Sequence, residues 1–105
     1  MGNSMDPVHI EYTANTTHVV LEASLGIRDV HALHEKLSSV VVSTTAVVLD
    51  GSRVERLDAA IMQVLAAFTR AIRDHGRTLT WRSPSPVLQQ AARVLGFESI
   101  LEMSS

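Results

Sequence analysis

The chain contains no cysteine, which excludes disulfide bonds and thiolate metal sites. No apolar run approaches the roughly 18 residues that a membrane-spanning helix requires. The first five residues also lack the charged and apolar regions of a signal peptide. We therefore expect a cytoplasmic protein that does not insert into a membrane.

Neither sign of charge dominates the sequence. Nine lysines and arginines face eleven acidic residues, which gives a formal net charge of −2 at pH 7. The basic residues are interspersed with acidic and apolar positions, whereas a nucleic-acid-binding surface usually gathers them into a patch. The composition therefore gives no reason to expect nucleic acid as a partner.

The 105 residues, 46% of them hydrophobic, suffice for one domain with one core. We expect residues 1–7 to form a flexible N-terminal tail and residues 8–105 to form the single domain.

Four segments have the patterns of β-strands. Residues 8–12 alternate apolar and polar, and residues 18–23 follow after a turn at residues 15–17, so we expect a hairpin. Residues 46–49 are apolar and β-branched, which is typical of a strand covered on both faces, and they end at the turn Asp50-Gly51-Ser52. Residues 78–82 alternate again as a third core strand, in which Trp81 is expected to pack.

Helical spacing appears between these strands. Apolar residues at 27, 30, 33 and 37 predict a first helix. A second helix is expected to start at Asp58, whose carboxylate would accept the free N–H groups of the first turn, and to stop at Gly76. Ser85-Pro86 opens a third helix that ends at Gly96, and a short final element follows at residues 100–101.

The order β-β-α-β-α-β-α predicts the α/β class. We expect a four- to five-stranded mixed, mostly parallel sheet with three to four helices packed on it. Functional groups in such sheets gather at the carboxyl ends of the strands. Here that location holds the polar segment from Asp50 to Asp58, which could equally be a solvated connection that ends in a helix cap.

The segment Val47-Val48-Leu49-Asp50-Gly51-Ser52-Arg53-Val54-Glu55-Arg56-Leu57-Asp58 resembles the central motif of STAS domains, the anti-sigma-factor-antagonist family. An apolar strand ends in Asp, and a short turn with Val leads to an apolar residue and the Asp that opens a long helix. The resemblance covers essentially residues 8–103, including the family's last helix in Val87–Phe97. It implies a STAS-like fold and a non-enzymatic domain that binds a regulatory protein, such as an anti-sigma kinase.

The sequence departs from the family pattern directly after Asp58. Partner-switching antagonists carry hydroxyl residues and Gly there, and the second hydroxyl is the position that a kinase phosphorylates. Here Ala59, Ala60 and Ile61 follow instead. Because alanine has no oxygen to phosphorylate, the resemblance implies a domain that binds constitutively or is regulated at another position.

The expected partner-binding surface surrounds the start of the second helix. Ile61 and Met62 are predicted to be exposed apolar anchors, flanked by Arg53 and Arg56. The full set is Ser52, Arg53, Arg56, Asp58, Ala59, Ala60, Ile61 and Met62.

Other kinds of site find less support in the sequence. His31, His34 and Glu35 could approach a metal, but no further cluster completes the ligand set, so solvated helix residues are expected. Asp50 and Asp58 are accompanied by no nucleophile and base, and Gly51 stands alone rather than in a phosphate loop. We expect no enzyme activity, no cofactor and no metal.

An alternative to the anti-sigma role stays open. Some STAS domains are small soluble subunits of lipid-transport ABC transporter complexes, and the partner would then be the transporter ATPase. A homodimer is compatible with either role, and a nucleotide-binding domain is the weakest option.

Overall fold

The computed structural model describes residues 6–43 and 46–102. Its elements in chain order are β1 (Val8–Tyr12), β2 (Thr16–Leu21), β3 (Ser24–Leu25), α1 (Val30–Val41), β4 (Ala46–Asp50), β5 (Arg56–Leu57), α2 (Ala59–Asp74), β6 (Leu79–Arg82), α3 (Pro86–Leu95) and α4 (Glu98–Leu101). A 3-10 turn, Ile27–Asp29, precedes α1.

The main sheet has four strands in the order β1-β2-β4-β6. The hairpin β1–β2 is antiparallel, and β2, β4 and β6 are parallel to one another. This confirms the predicted α/β class and the mostly parallel sheet. The second strand begins at Thr16 and ends at Leu21, two residues earlier at each end than predicted.

A second, separate sheet was not predicted from the sequence. The two-residue strands β3 and β5 pair in parallel, with Leu25 opposite Leu57. Strands this short have no measurable alternation, so only the contact between distant segments reveals them. Together they bring the segment before α1 next to the segment before α2.

The main sheet is buried on one face. Val19 and Leu49 are fully buried, whereas their neighbours Val20 and Val48 are half-buried on the other face. The prediction that residues 46–49 are covered on both faces is therefore wrong. Trp81 lies in register with Leu49 and packs against the core, as expected, but it lies on an edge strand.

The helices cover the buried face. The buried residues of α1 are Leu33, Leu37 and Val40, and α1 packs against α2, which also contacts α3 and α4. Ile27 was predicted to begin the core face of the first helix, but it lies in the 3-10 turn and is 67% exposed.

The predicted ends of α3 are confirmed. The hydroxyl of Ser85 accepts the N–H of Leu88 at 3.2 Å, and Pro86 occupies the first turn, where its missing N–H leaves no helix bond unmade. Gly96 ends the helix with φ of 74°, a left-handed conformation that glycine adopts without strain.

Ordered contacts begin before β1. Pro7 is buried, and its carbonyl accepts the N–H of Glu22 at 3.0 Å. Most of the predicted flexible tail, residues 1–5, lies outside the described residues, as do Thr44 and Thr45.

Candidate functional site

The turn after β4 is organised by Asp50. Its carboxylate accepts the backbone N–H of Ser52 at 3.0 Å and the hydroxyl of Ser52 at 2.7 Å. Burial acts to raise the pKa of Asp50, but the two Ser52 hydrogen bonds and the charges of Arg82 and Arg53 outweigh it, so the pKa lies below its ordinary value. Asp50 is therefore an ionised structural group of the turn.

Gly51 allows a close approach between the turn and the core. A Cβ at this position would lie 2.3 Å from Cδ1 of Leu88 and 3.1 Å from Cζ3 of Trp81. The carbonyl of Gly51 also accepts the N–H of Ser85 at 3.1 Å. The turn after β4 is thus attached to the start of α3.

The rest of the loop is held by one apolar side chain and by backbone bonds. Val54 is only 1% exposed and packs in the core. The carbonyl of Ala23 accepts the N–H groups of both Glu55 and Arg56, at 2.8 and 3.1 Å. These contacts fix the path of the polar segment that leads to α2.

Asp58 begins α2, but its carboxylate does not cap that helix. No side-chain cap bond forms there; instead Oδ2 accepts the backbone N–H of Ile27 at 2.8 Å. The backbone N–H of Asp58 donates to Leu25 at 3.1 Å, continuing the β3–β5 pairing. The predicted capping role is therefore wrong for the side chain, because the neighbouring 3-10 turn offers a competing donor.

The expected exposure of the two apolar anchors is also wrong. Ile61 and Met62 are both 0% exposed and belong to the core. Ile61 lies on the same buried face of α2 as Leu65 and Phe68. Of the remaining predicted contact residues, Ala60 is half-buried and the others are exposed, namely Ser52, Arg53, Arg56, Asp58 and Ala59.

The structure links the two predicted turns to different neighbours. The turn at Asp50 is bonded to the segment between β6 and α3, whereas Asp58 is bonded to the turn before α1. Arg53 approaches Glu22 at 3.8 Å, and both side chains are substantially exposed.

An apolar groove beside the start of α2 was missed from the sequence. It has a volume of about 580 Å³ and lies between α2 and α3. Met62 forms part of its lining from α2, and exposed apolar side chains of α3 form the other wall. Its lining residues are Leu57, Asp58, Ala59, Met62, Pro86, Val87, Gln90, Ala91, Val94 and Leu95.

The composition of α3 contained a signal for this groove. Leu88 and Ala92 face the core, yet Val87, Val94 and Leu95 are also apolar and are 38, 70 and 40% exposed. The apolar surface of this helix is therefore wider than the core contact requires.

A second groove lies on the other side of Asp58 and has an acidic lining. Its volume is about 590 Å³, and it contains four carboxylates and one guanidinium. The charged residues are Asp6, Glu22, Arg28, Asp29 and Asp58. Asp58 is shared by the acidic and the apolar groove.

The structure gathers no metal-binding set from the histidines of α1. His31 and Glu35 lie 3.3 Å apart as an exposed pair. Within residues 6–43 and 46–102, no three His, Cys, Asp or Glu side chains come together in a way that could hold a metal ion. Over the same residues, no helix has the length and apolar character to cross a membrane.

The fold and the loop that enters α2 define a small α/β domain of known type. The family described as "Mlab, STAS domain" matches residues 8–102. The chain therefore belongs to the STAS domain family.

Several solved structures share this fold at low sequence identity. The anti-sigma factor antagonist SpoIIAA in its unphosphorylated form is 16% identical, with a TM-score of 0.75 over 93% of this chain and 88% of that chain. The phosphorylated form of SpoIIAA, a Bacillus cell fate determinant, is 16% identical, with a TM-score of 0.73 over 93% and 91%. An anti-sigma factor antagonist from Mycobacterium paratuberculosis is 19% identical, with a TM-score of 0.74 over 91% and 82%.

These likenesses confirm the predicted STAS fold. The comparison of this sequence with curated proteins found no significant match.

Proposed function

We propose that this domain binds a regulatory protein, such as an anti-sigma kinase, through the surface at the start of α2, and that it acts by binding rather than by catalysis. The observation that carries the proposal is the apolar groove next to the exposed Ala59. Exposed apolar surface of this kind, bordered by polar residues, is typical of a protein interaction site.

The proposed contact surface differs from the one expected from the sequence. Ile61 and Met62 are in the core, so the apolar contacts come from Ala59 and from the outer face of α3. Arg56 and Asp58 are exposed at the entrance to the helix and supply polar contacts.

The proposed interaction is not switched by phosphorylation in the first turn of α2. Ala59 and Ala60 occupy the positions where antagonists of the family carry hydroxyl groups. A phosphate there would add nearly two negative charges beside an apolar groove and weaken binding. Because neither alanine can accept a phosphate, phosphorylation cannot change the charge at these two positions.

A second candidate role is that of a STAS subunit in a lipid-transport ABC transporter complex. It is favoured by the same pair of alanines, because a permanent subunit contact requires no phosphorylation switch. The two roles predict different partners for the same surface.

Affinity capture from a lysate of the source cells tests the proposal. The bait proteins are the wild type, Ala59→Arg and Ala67→Arg; Ala67 is a matched control because it is also an exposed alanine of α2. We expect the wild type and Ala67→Arg to capture one shared protein that Ala59→Arg loses. A kinase-fold regulator would support the first role and a transporter ATPase the second. Equal capture by all three baits would contradict the proposed surface.

A further inference from the structure

We propose that the element of the partner that docks here is an amphipathic α-helix, whose apolar side chains enter the groove between α2 and α3 and whose basic end faces the acidic groove. This inference rests on the proposed function, since it specifies the chemistry of the partner at that surface.

The first argument is the row of apolar residues on the outer side of α3. Val87, Ala91 and Val94 are separated by four and three residues, so they lie along one face of the helix. Leu88 and Ala92 supply the buried core contact of α3. Val87 and Val94 are exposed, whereas Ala91 is half-buried and packs against the edge of the core. The exposed valines of this row offer a ridge that a second helix can pack against.

The second argument is the nature of the groove walls. One wall runs the length of α3, whose inner backbone groups are already hydrogen-bonded within the helix. The other wall is formed by the end of β5 and the first turn of α2. An added β-strand needs unpaired backbone groups along an edge, whereas a helix needs only apolar side chains at suitable spacing. The wall along α3 therefore suits a helix rather than an extended peptide.

The third argument is the charge next to the apolar groove. Asp58 borders both grooves, and the acidic groove beyond it adds Asp6, Glu22 and Asp29 against Arg28 alone. Two of these carboxylates form long ion pairs with cations outside the lining of the acidic groove. Asp6 lies 3.7 Å from Lys36, and Glu22 lies 3.8 Å from Arg53. Such exposed pairs are weak. A helix that continues past Asp58 would meet four carboxylates against three cations, Arg28, Lys36 and Arg53. The small excess of negative charge favours arginine or lysine at the end of that helix.

A designed peptide tests this inference directly. The probe is an 18-residue helix with leucines at positions i, i+4, i+7 and i+11 and three arginines at one end, prepared with the arginines at either terminus. A matched peptide carries three glutamates instead. Each is titrated into the isotope-labelled domain and followed by amide chemical shifts.

We expect an arginine peptide to shift amides in residues 57–62 and 86–95, and to bind at least tenfold more tightly than the glutamate peptide at low salt. The preference should shrink as salt screens the charges. Equal binding of both peptides, shifts confined to other residues, or no saturation at millimolar peptide would overturn the inference.

Two exposed valines provide the matched variants. Val94 is 70% exposed in the groove, and Val42, just after α1 and outside the groove, is 82% exposed. Val94→Asp should weaken binding of the arginine peptide at least tenfold, and Val94→Lys should weaken it by a similar factor. Because the two variants add opposite charges, a shared loss of affinity reports the loss of apolar packing. Val42→Asp should leave binding unchanged. Weakening by the lysine variant alone would indicate a purely electrostatic contact and would contradict the helix.

The outcome is distinguishable from failure of the proposed function. If Ala59→Arg abolishes capture of the natural partner but Val94→Asp does not, the proposed function stands and the docked helix is wrong. Sedimentation of the domain alone tests whether a second copy of this chain occupies the groove. A dimer that Val94→Asp disrupts would assign the groove to that second copy and overturn the inference.

Discussion

The carboxylate of Asp58 accepts the backbone N–H of Ile27 at 2.8 Å, across 31 positions of the sequence. The same residue donates its own backbone N–H to Leu25. Through these two bonds, Asp58 attaches the start of α2 to the turn that precedes α1. Its position at the helix start is the one predicted, but its side chain stabilises a different element.

Replacement of Asp58 by alanine should release the N–H of Ile27. We expect a loss of about 1 kcal/mol in the free energy of unfolding, the ordinary value for a hydrogen bond of this kind near the surface. Hydrogen exchange should accelerate severalfold at the Ile27 amide and little at Ala60 in α2. Asp58→Asn, which keeps an acceptor oxygen, serves as the control. Faster exchange at the Ala60 amide with no change at the Ile27 amide would show that the Asp58 carboxylate caps α2 after all.

Ile61 provides a test of the corrected core. Because it is 0% exposed, Ile61→Ala should destabilise the domain by about 3 kcal/mol. Ile61→Asp should prevent folding, since it would bury an unpaired charge. Val42→Asp, at an exposed position, should change the unfolding free energy by less than about 0.5 kcal/mol. A thermal midpoint of unfolding that is nearly unchanged in Ile61→Asp would show that Ile61 is exposed and not part of the core.

The sequence predicted the elements with strong periodicity and missed those without it. Alternation identified β1 and β6, and three- and four-residue spacing identified the helices. In α2, Ile61, Leu65, Phe68 and Ile72 recur at three- and four-residue steps, the spacing of a core face. The assignment of Ile61 as an exposed anchor therefore conflicted with its own periodicity. Strands β3 and β5 carry no such pattern, because two residues cannot define a period.

The candidate site was predictable in position but not in detail. Apolar runs bordered the polar segment from Asp50 to Asp58, and this located the loop. The bond from Ile27 to Asp58 depends on how distant segments pack, which no local pattern records. The outer apolar face of α3 left a trace in Val87 and Val94, but helical spacing alone does not distinguish a core face from a docking face.

The pKa of Asp50 reports on the hydrogen bonds that Ser52 donates to its carboxylate in the turn after β4. Because the folded-state pKa of Asp50 is lowered, its contribution to stability is present above the ordinary aspartate pKa and is lost as the pH falls through the folded-state value. Ser52→Ala removes the hydroxyl donor and should raise the pKa of Asp50, as measured by carboxyl-carbon NMR titration. Identical titration curves in both proteins would show that the hydroxyl contributes nothing.

Introducing a hydroxyl at residue 60 tests the proposal that the first turn of α2 carries no phosphorylation switch. After incubation with the captured kinase and ATP, Ala60→Ser should gain phosphate at residue 60 and lose affinity for its partner. The wild type should bind equally well before and after the same treatment. A fall in wild-type affinity would show that phosphorylation at another residue controls this interaction.

The most direct test of the central claim is calorimetric titration of the purified partner into three forms of the domain. The forms are the wild type, Ala59→Arg and the control Ala67→Arg, each first shown to unfold at the same midpoint. Binding through the start of α2 predicts at least a tenfold rise in Kd for Ala59→Arg, about 1.4 kcal/mol, and no change for Ala67→Arg. Equal Kd values for all three forms would contradict the account and place the partner on another surface.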